Sequence, residues 1–301
     1  MAKRSSILLV CKPPGITSFA SLYPVKRKID KKVGHAGTLD KFAQGLMIVL
    51  TGSFTKLNPM FSEMDKSYIA TIHFGVETST LDPEGEVVDT RVVPDIESIK
   101  RALEAHFTGT IMQAPPQYSA VHIEGVRAHK LARKGTVVEM TPRPVVIHGT
   151  EILEWQPPML KIKVTCSKGT YIRSFARDLG HAAGSCAFLS LLERTSIGPF
   201  LSSEAVDPEN SLALLDMAAQ THNHLKRVPG FADIILSEDA LEGLKHGNLP
   251  RCQSILESTA GAGDRFASLL DAQGNLLAVV TLNENLFPQK VLALPCAEEV
   301  V

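Results

Sequence analysis

With 301 residues, 44% of them hydrophobic and 21% charged, the chain is long enough to bury a full core without metal or disulfide staples. Its five cysteines (Cys11, Cys166, Cys186, Cys252, Cys296) are scattered, odd in number and form no C-x-x-C pair, which argues against a disulfide framework and a structural zinc site. No apolar run approaches the roughly 18 residues of a membrane span, and residues 1–12 lack a signal peptide, so the expectation is a cytoplasmic protein with no membrane association.

A net charge of −1 conceals strong segregation. Residues 1–40 carry eight Lys/Arg against two acids, and residues 130–203 ten against five. Residues 41–129 carry seven basic and eleven acidic side chains, and residues 204–301 six and fourteen. Two basic blocks folded together would attract phosphates; solvated helix faces with no partner are an equally good reading of charge alone.

In chain order, Ile7–Val10 reads as a buried strand, and Lys12-Pro13-Pro14-Gly15-Ile16-Thr17-Ser18 as a rigid turn whose Thr17 or Ser18 caps a helix. Phe19, Leu22, Val25 and Ile29 lie on one face of that helix, with Lys26, Arg27, Lys28, Lys31 and Lys32 elsewhere; Pro24 should kink it or move its start to Tyr23. Gly34-His35-Ala36-Gly37-Thr38-Leu39-Asp40 is then read as a tight turn. It ends in a carboxylate just ahead of a buried strand at 46–50, which is a rigid support for an acid, base or nucleophile. Residues 53–64 suggest a helix interrupted by Pro59. The alternation in 66–74 predicts a strand with Tyr68, Ala70, Ile72 and Phe74 on one face.

Asp82-Pro83-Glu84-Gly85 reads as a turn, 96–107 as a helix, and 126–134 as a short basic helix ended by Gly135. Strands follow at 145–153 and 160–166. Lys168-Gly169-Thr170-Tyr171-Ile172-Arg173 turns into a helix over 171–182, and 187–196 is a strand. Beyond Phe231 short strands at 232–236, 265–270, 276–282 and 290–294 mark a small β module.

The motifs exclude a phosphate loop, a nucleophile elbow, a zinc-protease motif and any Cys/His metal cluster. What remains is a carboxylate on a glycine turn, two tyrosines (Tyr68, Tyr171), Arg173 and two basic blocks. Aromatic faces beside basic surface suit an unstacked nucleobase. These residue types therefore favour an enzyme acting on a base extruded from RNA or DNA.

Four blocks carry a closer likeness: Lys12–Ser18, Gly34–Asp40, Lys66-Ser67-Tyr68 and Lys168–Ser174. In this order and spacing the chain resembles the TruB family of tRNA pseudouridine synthases across residues 6 to 200. Residues 244–250 resemble, more weakly, the PUA-type RNA-binding module found at that end of the family. The resemblance implies conversion of uridine to pseudouridine at position 55 of the tRNA T-loop. It implies a reaction that needs neither metal nor cofactor, and nothing in the sequence demands a protein partner or more than a monomer.

Asp40 matches the family's catalytic Asp. His35 would fill the gap left by the flipped nucleotide, and Tyr68 would stack on the target base. Arg173 would pair with Asp40, while Tyr171 and Leu192 would line the pocket. The expected fold is α+β: a mixed, largely antiparallel sheet with flanking helices and a central catalytic cleft over residues 1–228, then a small PUA-like β domain over 229–301.

Lys41, Gln44, Gln117, His129, Phe188 and Glu193 depart from the usual family pattern, and Lys41, His129 and Glu193 bear on how the RNA backbone is gripped. Two other readings stay open: an RNA-guided synthase subunit, and an RNA-binding protein with a vestigial catalytic turn.

Overall fold

The computed structural model describes residues 5–119, 122–123, 126–128, 140–246 and 248–295. The chain folds into two compact units, Met1–Lys41, Gly45–Ser62 and Ile197–Val301 in one, Phe42–Gln44 and Glu63–Ser196 in the other. Both mix sheet and helix, so the class is α+β.

In the first unit β1 (Ile7–Lys12) lies antiparallel to β3 (Gln44–Thr51), with Ile7 opposite Leu50 and Lys12 opposite Gly45. Between them come a 3-10 turn (Ala20–Leu22), helix α1 (Tyr23–Lys28) and strand β2 (Val33–Ala36). Pro24 occupies the first turn of α1, where its missing N–H is harmless, and the helix accordingly starts at Tyr23. The strand β2 pairs antiparallel with β3, with Gly34 opposite Leu50 and Ala36 opposite Ile48. This corrects the expected turn over 34–40: its first three residues are ladder, and the chain reverses only from Gly37, whose φ of 84° is the left-handed region a glycine tolerates. Gly52–Leu57 is a 3-10 turn running into helix α2 (Asn58–Ser62).

The second unit begins with β4 (Lys66–Phe74), the short hairpin β5 (Val76–Thr78) and β6 (Val87–Thr90), and helix α3 (Ile96–His106). Asp95 caps α3 by accepting from the Ser98 N–H at 2.7 Å. Then follow β7 (Gly109–Gln113), the pair β8 (His122–Ile123) and β9 (Val126–Arg127), and the strands β10 (Arg143–Gln156) and β11 (Met159–Cys166). The predicted helix over 126–134 therefore begins as strand at 126–127, Ala128 is helical, and 129–134 lie outside the described residues. Helix α4 (Ile172–Ala182) and strand β12 (Ala187–Ile197) complete the unit, whose strand order is β12-β4-β11-β10-β7. The pairings β4–β11, β11–β10 and β10–β7 are antiparallel.

From Ile197 the chain is back in the first unit, with β13 (Phe200–Leu201) and helices α5 (Ser211–Ala219) and α6 (Thr221–Lys226). It ends in a five-stranded mixed sheet of β14 (Phe231–Leu236), β15 (Ile255–Ser258), β16 (Phe266–Leu270), β17 (Leu276–Leu282) and β18 (Pro288–Ala293), in the order β15-β14-β16-β17-β18. Only β14 and β16 run parallel there. Helix α7 (Glu238–Lys245) contributes Ala240 and Leu244 to an apolar cluster around Ile234, Leu269 and Val280. No helix among the described residues is long and apolar enough to cross a membrane.

Candidate active site

Asp40 and His35 belong to the first unit, and Tyr68, Tyr171, Arg173 and Leu192 to the second.

The segment carrying Asp40 is pinned on both sides. The Ser18 hydroxyl donates to the Leu39 carbonyl at 2.8 Å and accepts from the Leu39 N–H at 2.9 Å. The Lys41 carbonyl accepts from the Gly15 N–H at 2.8 Å and from Lys12 Nζ at 3.3 Å. The K-P-P-G-I-T-S block thus works as a clamp. Ser18 holds the residue before Asp40, and Gly15 and Lys12 hold the residue after it. Lys12 is fully buried, and its ammonium also donates to the Pro13 carbonyl. A buried ammonium must be hydrogen-bonded, which ties the clamp together. Asp40 is itself half-buried. His35 lies on β2, and its carbonyl accepts from Asn58 Nδ2 at 2.7 Å, so that helix α2 fixes the strand that feeds the loop.

In the second unit the K-G-T-Y-I-R block is a turn into α4. Gly169 has a φ of 80°, and the Thr170 hydroxyl donates to the Ser167 carbonyl. Tyr171 is the residue before the helix, gripped twice by buried Gln113: its N–H donates to Gln113 Oε1 at 2.8 Å, and its carbonyl accepts from Nε2 at 3.1 Å. One turn on, the Ser174 hydroxyl donates to the Ala114 carbonyl at 2.8 Å.

Arg173 is buried, and its guanidinium donates to the carbonyls of Thr80 (3.1 Å) and Tyr118 (3.0 Å). Its Nη1 lies 3.5 Å from Asp82 Oδ2. The other oxygen of Asp82 accepts from the Glu84 N–H at 3.0 Å and from the Thr80 hydroxyl. Leu81 between them has a φ of 61°, a conformation unfavourable for a branched side chain, and so presents Thr80 and Asp82 to the same guanidinium. Asp82 is the partner that sequence reasoning missed. It sat inside a segment read only as a turn.

Strand β4 alternates strictly, burying Lys66, Tyr68, Ala70, Ile72 and Phe74. Its neighbour β12 buries Leu192 and Arg194. The Tyr68 hydroxyl shares a hydrogen bond with the Arg194 guanidinium, which burial pulls below its ordinary pKa. Burial, and next the charge of Arg194, lower the Lys66 ammonium to about 8. Tyr68 is thus bonded to one desolvated cation, Arg194, which in turn acts on Lys66 two residues before it on the same face of β4. Arg194 carried no signal in a single sequence, because it lies on a different strand, β12, from Tyr68 on β4.

Two of the departures meet each other: Gln44 Nε2 lies 3.5 Å from Glu193 Oε2. Phe188 makes an edge-to-face contact with His73, centroids 5.1 Å apart. His129 lies outside the described residues. Among the described residues no group of three or more His, Cys, Asp or Glu is placed to hold a metal ion.

These elements can be set beside known proteins. The fold is shared with chains of two solved complexes. The solved "Structure of H/ACA RNP bound to a substrate RNA containing 2'-deoxyuridine" superposes with a TM-score of 0.64 at 19% identity, over 97% of this chain and 83% of that one. The "Crystal Structure of a Cbf5-Nop10-Gar1 Complex" gives 0.63 at 23% over the same shares.

Residues 26–172 match the TruB family pseudouridylate synthase (N terminal domain). The chain is 38% identical over 280 residues to the tRNA pseudouridine synthase B of Borreliella afzelii, covering 92% of this chain and 94% of the relative. It is 37% identical over 304 residues to that of Burkholderia mallei, covering 97% and 99%. The chain belongs to the TruB family of pseudouridine synthases.

Proposed function

We propose that this protein isomerises uridine to pseudouridine in the T-loop of tRNA, at the position conventionally numbered 55. What carries the reading is the likeness, over nearly the whole length of both chains, to enzymes named tRNA pseudouridine synthase B. The reaction breaks the N1–C1′ bond of the nucleoside, turns the uracil and joins C5 to C1′. The proton on C5 is lost and N1 gains one, so the atoms balance without a co-reactant.

Asp40 is the catalytic residue, on a segment whose flanking carbonyls are already pinned, so that little reorganisation accompanies the reaction. Tyr68 stacks on the extruded base and Arg194 steadies its phenol. His35 fills the vacated stack, Tyr171 and Leu192 line the base pocket, and Arg173 orients Asp40. Extruding a base costs a few kcal/mol, which such contacts offset.

Residues 1–228 form the catalytic domain and 229–301 a PUA-like RNA-binding domain; the separate apolar cluster around Ile234, Leu269 and Val280 supports that division. The protein acts as a monomer in the cytoplasm on tRNA, with no obligate protein partner.

The test is to incubate the purified protein with an unmodified tRNA transcript and map pseudouridine chemically. Conversion of the T-loop uridine by the protein alone is expected. Conversion only with an added guide RNA, or tight binding without conversion, would refute the reading. Asp40→Asn should lower kcat by at least about a thousandfold while tRNA affinity stays within a few-fold; an active variant removes Asp40 from the chemistry.

A further inference from the structure

Phe19, just before the 3-10 turn, and Tyr23, the first residue of α1, stand four residues apart and are 56% and 53% exposed. Their rings meet edge to face, with centroids 5.8 Å apart. The Lys26 ammonium lies 4.3 Å from the Phe19 centroid and 5.7 Å from that of Tyr23. Leu22, Val25 and Ile29 are buried, so the helix has its core face, and the two rings are additional to it. Two aromatic side chains held in water, in fixed mutual geometry under a cation, form a surface for recognition rather than packing.

Charge selects the partner. Arg27 and Lys28 face Glu209 at 3.6 and 3.8 Å, and the Lys28 amine also donates to the Glu209 carbonyl. Those two cations are thus partly met within the protein. Lys26 instead lies over ring faces, and Lys31 and Lys32 continue the basic strip as exposed side chains. Half-exposed rings beside ammonium groups complement a nucleobase and its phosphate.

We propose that Phe19, Tyr23 and Lys26 form an RNA-docking patch that stacks one unpaired nucleobase of the substrate and neutralises its phosphate, away from the uridine that reacts. The patch rests on the proposed function only in that the substrate is RNA. It adds affinity and takes no part in the chemistry.

The test measures the Kd of a tRNA transcript by fluorescence anisotropy, together with kcat and KM for uridine conversion. Phe19→Ala/Tyr23→Ala should weaken binding about tenfold, through KM, with kcat within about twofold of wild type. Lys26→Gln should lower the slope of log Kd against log salt by about one. The swap Phe19→Tyr/Tyr23→Phe keeps both ring faces and should bind as wild type does. Binding by the double-alanine variant within twofold of wild type overturns the patch. So does a swap variant as weak as the double alanine, or a wild-type dimer in sedimentation that the double alanine abolishes. Absence of conversion by wild type would sink the proposed function, whereas an unaltered Kd alongside normal conversion sinks only the patch.

Discussion

Arg173 shows what a single buried guanidinium demands. Two carbonyls and a carboxylate converge on it from Thr80, Tyr118 and Asp82, with the two charged side chains 6% and 10% exposed. Removing one member of such a pair leaves the other charge in low dielectric. Asp82→Ala should therefore destabilise the protein by about 3 kcal/mol in urea unfolding, although Asp82 has no proposed role in the reaction. Arg173→Lys should fail nearly as badly, since an ammonium cannot reach all three acceptors with a planar fork. A wild-type unfolding midpoint in either variant would refute this account.

His224 offers a pH test at the same scale. It is buried, its Nε2 lies 3.0 Å from Met217 Sδ, and its pKa is lowered from 6.5 by burial first and then by the nearby Arg227 charge. The folded protein resists the proton that the unfolded chain accepts near 6.5. Its contribution to stability is present above that pH and falls as pH drops towards the lowered folded value. The melting temperature of wild type should fall more between about pH 7.5 and 5.5 than that of His224→Gln. Parallel profiles would show that His224 is not the cause.

At the scale of elements, local patterning explains most of the secondary structure. Alternation located β4, Asp95 marked the start of α3, and Pro24 set the start of α1. What the sequence could not reveal are relations between elements. Gly34 looks like a turn glycine, yet it is ladder, because β2 finds its partner in β3. Lys66 looks like a solvated strand end, yet burial beside Arg194 brings it to about 8. The block Lys12–Ser18 was legible as a motif, but its purpose, holding the backbone on either side of Asp40, needed coordinates.

Gly180 on α4 is another such case. A Cβ there would lie 2.6 Å from the Ala187 nitrogen and 2.8 Å from the Cys186 carbonyl carbon, both backbone. Gly180→Ala should destabilise by about 1–3 kcal/mol despite the better helix propensity of alanine. A stabilised variant, by urea midpoint, would show that the helix can move aside.

At the scale of the molecule, the C-terminal sheet is joined to the segments around it by many polar contacts. Asp233 on β14 pairs with His222 at 2.9 Å and Lys226 at 3.1 Å. The Pro295 carbonyl accepts from the Ser5 N–H at 3.2 Å, and the Ser53 hydroxyl donates to the Leu294 carbonyl. A chain cut after residue 228 should lose these contacts and melt at a lower temperature than the whole protein, measured by circular dichroism. Equal melting would mean that the sheet contributes nothing to its neighbours.

The bond from Ser5 to Pro295 has a kinetic corollary. A compact unit in which residue 5 bonds to residue 295 cannot be finished by a ribosome until residue 295 has been made, whereas residues 63–196 emerge as one uninterrupted stretch. Nascent chains arrested at successive lengths should gain protease resistance in that middle stretch first. The strands of the first unit would wait, half assembled, for the C-terminal sheet to emerge.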